Sequence, residues 1–124
     1  MQPSYQRILL KLSGETLGGT KGFGFDYEVV QTIAENIFKV HDLGVAVGVV
    51  VGGGYIFRGA RSAEGHIGRV AGDHMGMMAT VINSICLQEV LEQRGVNTRV
   101  MSAIDIRAVA EPYIKRRADR HLEK

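Results

Sequence analysis

The sequence predicts an α/β fold: three layers, α/β/α, around a mainly parallel sheet, in a single domain over residues 1–124. Three observations lead there. Val45-Ala-Val-Gly-Val-Val-Val51 is apolar without alternation, the pattern of a strand covered on both faces rather than of a half-wet hairpin. Arg7-Ile-Leu-Leu-Lys-Leu-Ser13 is a second strand-like run, closed by Gly14. Between the two, Val29, Val30, Ile33, Ile37 and Val40 recur at helical spacing. Strand, helix and strand in that order form a β-α-β unit with a right-handed crossover.

In the first strand Ile8, Leu10 and Leu12 face one way and Leu9, Lys11 and Ser13 the other. A lysine there needs explaining, because an unpaired buried ammonium is costly. Either Lys11 snorkels to solvent at the sheet edge, or it points at a phosphate beyond the strand end. Residues Gly14 to Gly24 are glycine-rich and read as a mobile loop. The stretch Gly14 to Lys21 imitates a Walker A signature, but Thr20 and Lys21 stand in the wrong order and no helix is expected at once. A P-loop is therefore rejected. The dinucleotide fingerprint Gly-x-Gly-x-x-Gly does not occur either.

Asp26 is the expected N-cap of a helix running to about Leu43, and Gly44 its stop. After the strand Val45–Val51, Gly52-Gly53-Gly54 lets backbone approach a ligand with no Cβ in the way. Ligands of open α/β sheets sit off the carboxyl ends of the strands, and Arg58 follows the last glycine by four residues. A plain tight turn is the alternative to an anion cradle. Ala60 to Gly68 reads as loop, and a long helix is expected from Arg69 to Arg94, with Val81, Ile82, Ile85, Val90 and Leu91 buried. Two glycines in its first turns, Gly72 and Gly76, are unfavourable by about 1 kcal/mol each relative to alanine, so something compensates. Asp73 is either a surface acid favoured by the helix dipole or an acceptor for hydroxyls such as a ribose pair. His74 has no second metal ligand at helical spacing. Met75, Met77 and Met78 read as core or subunit-contact packing, and Cys86 as core. Val96 to Met101 is expected as a third strand, and Glu111-Pro112 as the start of a last helix with a basic face of Lys115, Arg116, Arg117 and Arg120.

Composition narrows the function classes. Apolar residues make up 45% of the chain and charged ones 23%, values of a soluble globular protein. A net charge of +2 without interleaved aromatics gives no reason to expect nucleic acid. The single cysteine forbids an internal disulfide and suits a reducing, cytoplasmic setting. No apolar run is long enough for a membrane span.

Together these residues resemble the bacterial uridylate kinases of the amino-acid-kinase superfamily. The likeness rests on Leu10-Lys-Leu-Ser-Gly-Glu15, Gly22-Phe-Gly24, Gly48-Val-Val-Val-Gly-Gly-Gly54, Phe57-Arg-Gly59, Arg69-Val-Ala-Gly-Asp-His-Met-Gly-Met77 and Met101-Ser-Ala-Ile104. Lysine plus the triple glycine is shared with carbamate, acetylglutamate and aspartate kinases. The segment around Asp73 singles out the uridylate branch. The resemblance implies transfer of the γ-phosphoryl of ATP to UMP, with magnesium, in a homo-oligomer that is hexameric in the family. It implies that Lys11, Leu12, Ser13, Gly14, Gly54 and Arg58 contact ATP, with Lys11 and Arg58 catalytic. Gly53 and Asp73 would bind UMP. Gly19, Thr20, Lys21, Gly22, Phe23 and Gly24 match a segment tied to GTP activation, with GTP or UTP as effectors. Two positions that are basic in GTP-regulated relatives are Gln88 and Glu92 here. The family's chain is about twice as long, so this one matches its N-terminal half and is expected to be incomplete as given. The loop that holds the UMP phosphate and the adenine seat lie in the other half. The alternative function is a non-catalytic phosphate- or oxyanion-binding or oligomerising module on the same half-fold.

Overall fold

The computed structural model describes residues 3–21, 25–53 and 68–123. Strand β1 is Arg7–Leu12 and strand β2 is Ala46–Val51, and they pair in parallel from Arg7 opposite Ala46 to Leu12 opposite Val51. The linking helix α1 spans Tyr27–Asp42. Its cap is the expected one: the Asp26 carboxylate accepts from the Glu28 N–H at 3.2 Å, and Gly44 turns the chain out at φ 90°. Helix α2 covers Arg69–Gln93, and helix α3 covers Lys115–Glu123.

The core lies on one face of the strand pair. Leu10, Leu12, Val47, Val49 and Val51 pack on a cluster of Leu17, Val30, Ala34, Ile37, Leu87, Val90, Leu91 and Val96. Helices α1 and α2 therefore share that face, and Arg94 of the α2 terminus ties them together by bonding Glu35 and Gln31. On the opposite face Arg7 ion-pairs with Asp119 of α3 at 3.6 Å, which places the third layer at one end only. Leu9 stays 74% exposed and Val50 51% exposed. The expectation that Val45–Val51 is covered on both faces is thus corrected, because its outer face is left largely open around Leu9 and Val50.

Four further expectations change. Gly14–Lys21 is a 3-10 stretch rather than a loop, anchored by the fully buried Leu17 and kinked at Gly19, whose φ is 55° and ψ −135°. The Leu17 carbonyl accepts from the Asp26 N–H at 2.7 Å, so the stretch is closed onto the start of α1. Second, residues 96–100 form no strand. Val96 and Val100 are buried, so the alternation there records packing, and the Thr98 carbonyl accepts from the Gln88 side chain at 3.1 Å instead of from a neighbouring strand. Third, Glu111-Pro112 is not a helix start. These residues form a short strand, β4, parallel to β3 at Met101–Ser102. The Glu111 N–H donates to the Val100 carbonyl at 2.9 Å and the Tyr113 N–H to the Ser102 carbonyl at 2.8 Å, so the backbone is already committed when the chain reaches Lys115. Fourth, Ile82 is exposed rather than buried, and Met75, Met77 and Met78 are exposed, which removes the core reading of the methionines and leaves the subunit-contact one. Cys86 is half-buried against the core, and burial pushes its thiol pKa up.

Gly19 carries a testable consequence. An added Cβ would stand 2.8 Å from Asp26 Oδ2 and 3.0 Å from Val29 Cγ2, in a backbone conformation that only glycine adopts freely. Gly19→Ala is expected to destabilise the fold by about 1–3 kcal/mol, read as a lower urea midpoint at unchanged slope. An unshifted midpoint would contradict the kink described at Gly19.

Candidate functional site

The two parallel strands end side by side, and both run into glycine. Backbone there lies close enough that a Cβ on Gly52 would stand 3.4 Å from the Gly14 amide nitrogen. The ladder closes with the Gly52 N–H donating to the Leu12 carbonyl at 3.1 Å. Gly14 is buried, and the Ser13 carbonyl accepts from the Thr16 N–H at 3.0 Å, which folds the chain back at once after β1. Lys11 is exposed, one residue before the end of β1 and opposite Val50 in register. An exposed ammonium keeps its hydration, so the chain bears no desolvation penalty in holding the charge there. Gly54 and Arg58, read from sequence as ATP contacts, lie outside the described residues. Gly22, Phe23 and Gly24 lie outside them too.

The turn Gly52-Gly53 is pinned by a residue that the sequence reading passed over. Asn83 of α2 is 2% exposed, and its side-chain Nδ2 donates to the Gly52 carbonyl at 2.7 Å and to the Gly53 carbonyl at 3.0 Å. The signal was available: an asparagine one helical turn from Ala79 and from Leu87, on the stripe that α2 buries. A buried amide there needs partners, and the two glycine carbonyls are those partners.

Asp73 lies further back on the same helix, ten residues before Asn83 and so about 15 Å along its axis. It is exposed and lines an open cleft of about 540 Å³ with Gly72, Gly76, Met77, Thr80, Ser102, Ala103 and Ile104. Gly72 and Gly76, unfavourable in a helix, put no side chain into this space. The far wall is the turn after β3, held by the Ile104 N–H donating to Ser102 Oγ at 3.0 Å. The Thr80 hydroxyl donates to the Met77 carbonyl at 2.6 Å, so its proton is already used within the helix. Asp73 is exposed in the second turn of α2, past the strongest reach of the helix dipole, so it stands as a surface acid or as an acceptor for hydroxyls. Helix α2 thus lines the Asp73 cleft near its start and, through Asn83, clamps the glycine turn near its middle.

Gln88 is occupied in bonding Thr98, and Glu92 is exposed. Among the described residues no group of three His, Cys, Asp or Glu side chains is placed to hold a metal ion. No helix among them is long and apolar enough to cross a membrane.

Comparison with known proteins follows the same lines. A UMP kinase from Bacillus anthracis superposes with a TM-score of 0.89 at 43% identity, covering 98% of this chain and 50% of its own. A UMP kinase from Ureaplasma parvum gives 0.84 at 35% identity, over 96% and 52%. A carbamate kinase from Giardia lamblia bound to AMP-PNP matches at 0.55 and 16% identity, a likeness of fold alone. The chain spans about half the length of these structures. Residues 6–124 match the model of the amino acid kinase family, and the chain belongs to that family.

Proposed function

We propose that the chain is the nucleotide-gripping half of a uridylate kinase, which transfers the γ-phosphoryl group of ATP to UMP. The observation that carries this is the Asp73 cleft, lined by two helix glycines and lying on the helix that clamps the glycine turn. The 43% identity with the Bacillus anthracis enzyme supports the same reading.

In the reaction a UMP phosphate oxygen attacks the γ-phosphorus, and the bond from that phosphorus to the oxygen bridging it to the β-phosphate breaks. UDP and ADP result. The attacking oxygen is already ionised at neutral pH, since the second phosphate pKa is about 6, so no catalytic base is needed. Positioning and positive charge do the work. Lys11 is assigned to the migrating group, and Leu12, Ser13 and Gly14 to the ATP phosphates. Gly53 presents its N–H to UMP, and Asp73 accepts the ribose hydroxyls. Gly54 and Arg58 complete the ATP contacts. Magnesium would arrive with ATP and would offset charge on its phosphates, and none of the described residues is assigned to hold it. A homo-oligomer, and effector binding at residues 19–24 by GTP or UTP, belong to the same proposal.

Calorimetric titration with UMP tests the assignment of Asp73. The chain is expected to bind UMP saturably, and Asp73→Asn to weaken binding about tenfold or more, the loss of a charge-assisted acceptor for two hydroxyls. Binding that is indifferent to Asp73→Asn would favour the alternative of a non-catalytic oxyanion-binding module.

A further inference from the structure

We infer that Asn83 is a positioning residue: its side-chain amide orients the Gly52-Gly53 turn so that the Gly53 N–H is aimed away from α2, toward a bound phosphate. The inference rests on reading this turn as part of a phosphate site, and adds a residue that the reading does not itself require.

The geometry follows from the peptide bond. In a trans peptide the C=O of one residue and the N–H of the next point in opposite directions. The described residues include no cis peptide. The Gly52 carbonyl is held on Asn83 Nδ2 at 2.7 Å, so the N–H of Gly53, in the same peptide plane, points away from the helix. The second bond, to the Gly53 carbonyl at 3.0 Å, fixes the next peptide plane as well. One NH₂ group therefore sets two successive peptides. Glycine is the residue whose peptides need such restraint, because without Cβ its φ and ψ are the least confined. Burial makes the restraint strong. At 2% exposure Asn83 has no water to bond instead, and releasing either carbonyl leaves a buried polar group without its partner. The turn is thus set before any ligand arrives, so binding does not have to order it. Asn83 itself touches no substrate in this account and acts through Gly53.

The test uses the 124-residue chain labelled for NMR, with inorganic tripolyphosphate and UMP as separate probes. In the native chain the two Asn83 side-chain protons are expected to exchange slowly with solvent, and the Gly53 amide to move on addition of tripolyphosphate. Fast exchange at Asn83, or a Gly53 amide that ignores tripolyphosphate, overturns the inference without recourse to any variant. Asn83→Asp keeps the side-chain shape and replaces the donor by an acceptor facing two carbonyls. It is expected to shift the Gly52 and Gly53 amides and weaken tripolyphosphate binding about tenfold or more, while the α1 amides keep their positions. A packing role alone would lower Tm but leave affinity well below Tm unchanged, and that result also overturns the inference. If tripolyphosphate moves Gly53 in the native chain and UMP does not bind, the uridylate reading falls and the role of Asn83 stands.

Discussion

Alanine in place of Lys11 is expected to lower UMP-dependent ADP formation about 10²-fold or more, the size of effect produced by removing one well-aimed charge-stabilising donor. The same substitution is expected to leave Tm almost unchanged. Lys11 is exposed on the strand face turned away from the core, and no hydrogen bond or ion pair among the described residues depends on it. Its removal therefore opens no cavity and strands no partner. This split between rate and stability is what separates a charge placed for phosphoryl transfer from a lysine that only snorkels at a sheet edge. Where the chain alone does not turn over, the comparison is made with the second half of the Bacillus anthracis enzyme supplied. Native-like turnover in Lys11→Ala would remove the assigned role, and a large fall in Tm would contradict the exposure described for this side chain.

Leu17→Ala is expected to destabilise the fold by about 2–5 kcal/mol, the range for truncating a fully enclosed leucine. Leu17 sits in a glycine-rich stretch, yet it has no exposed surface and packs in the cluster of Val30, Ala34 and Ile37 from α1 and Leu87, Val90 and Leu91 from α2. Backbone on both sides of it is tied down, by the Thr16 N–H to the Ser13 carbonyl and by the Asp26 N–H to the Leu17 carbonyl. With so little freedom to collapse, the site retains most of the vacated volume, which puts the cost in the upper part of the range. Urea denaturation reads it as a large fall in midpoint at unchanged slope. A fall of less than about 1 kcal/mol would mean that the stretch after β1 is not part of the core.

The sequence made legible those parts of the fold that rest on local chemistry. Asp26 as a cap, Gly44 as a stop, and the parallel pairing of two apolar runs all follow from residue type and spacing, and all are present. What it hid depends on partners distant in the chain. The alternation of residues 96–100 looks like a strand, but side-chain burial and a bond from Gln88 account for it. Pro112 looks like a helix start until its neighbours Glu111 and Tyr113 are seen donating to β3. The continuous apolar run of β2 predicts two covered faces, while Val50 and Leu9 show one face covered mainly at its end. Among the candidate site residues, Lys11 stood out as a charge in an apolar strand, Gly53 as part of a triple glycine, and Asp73 as an acid beside two helix glycines. Asn83 did not, since a single polar residue on a buried helical stripe announces a hydrogen bond but not its acceptor.

Acceptor choice is decisive for the uridylate reading, because a uridylate kinase takes UMP as its acceptor. ADP formation is therefore to be followed with UMP and, in parallel, with CMP as acceptor, using the native chain supplied with the second half of the Bacillus anthracis enzyme and MgATP. The account predicts ADP released in proportion to UMP and little with CMP, with the signal lost in Lys11→Ala. Assembly of the two halves with no more ADP from UMP than from CMP would contradict it.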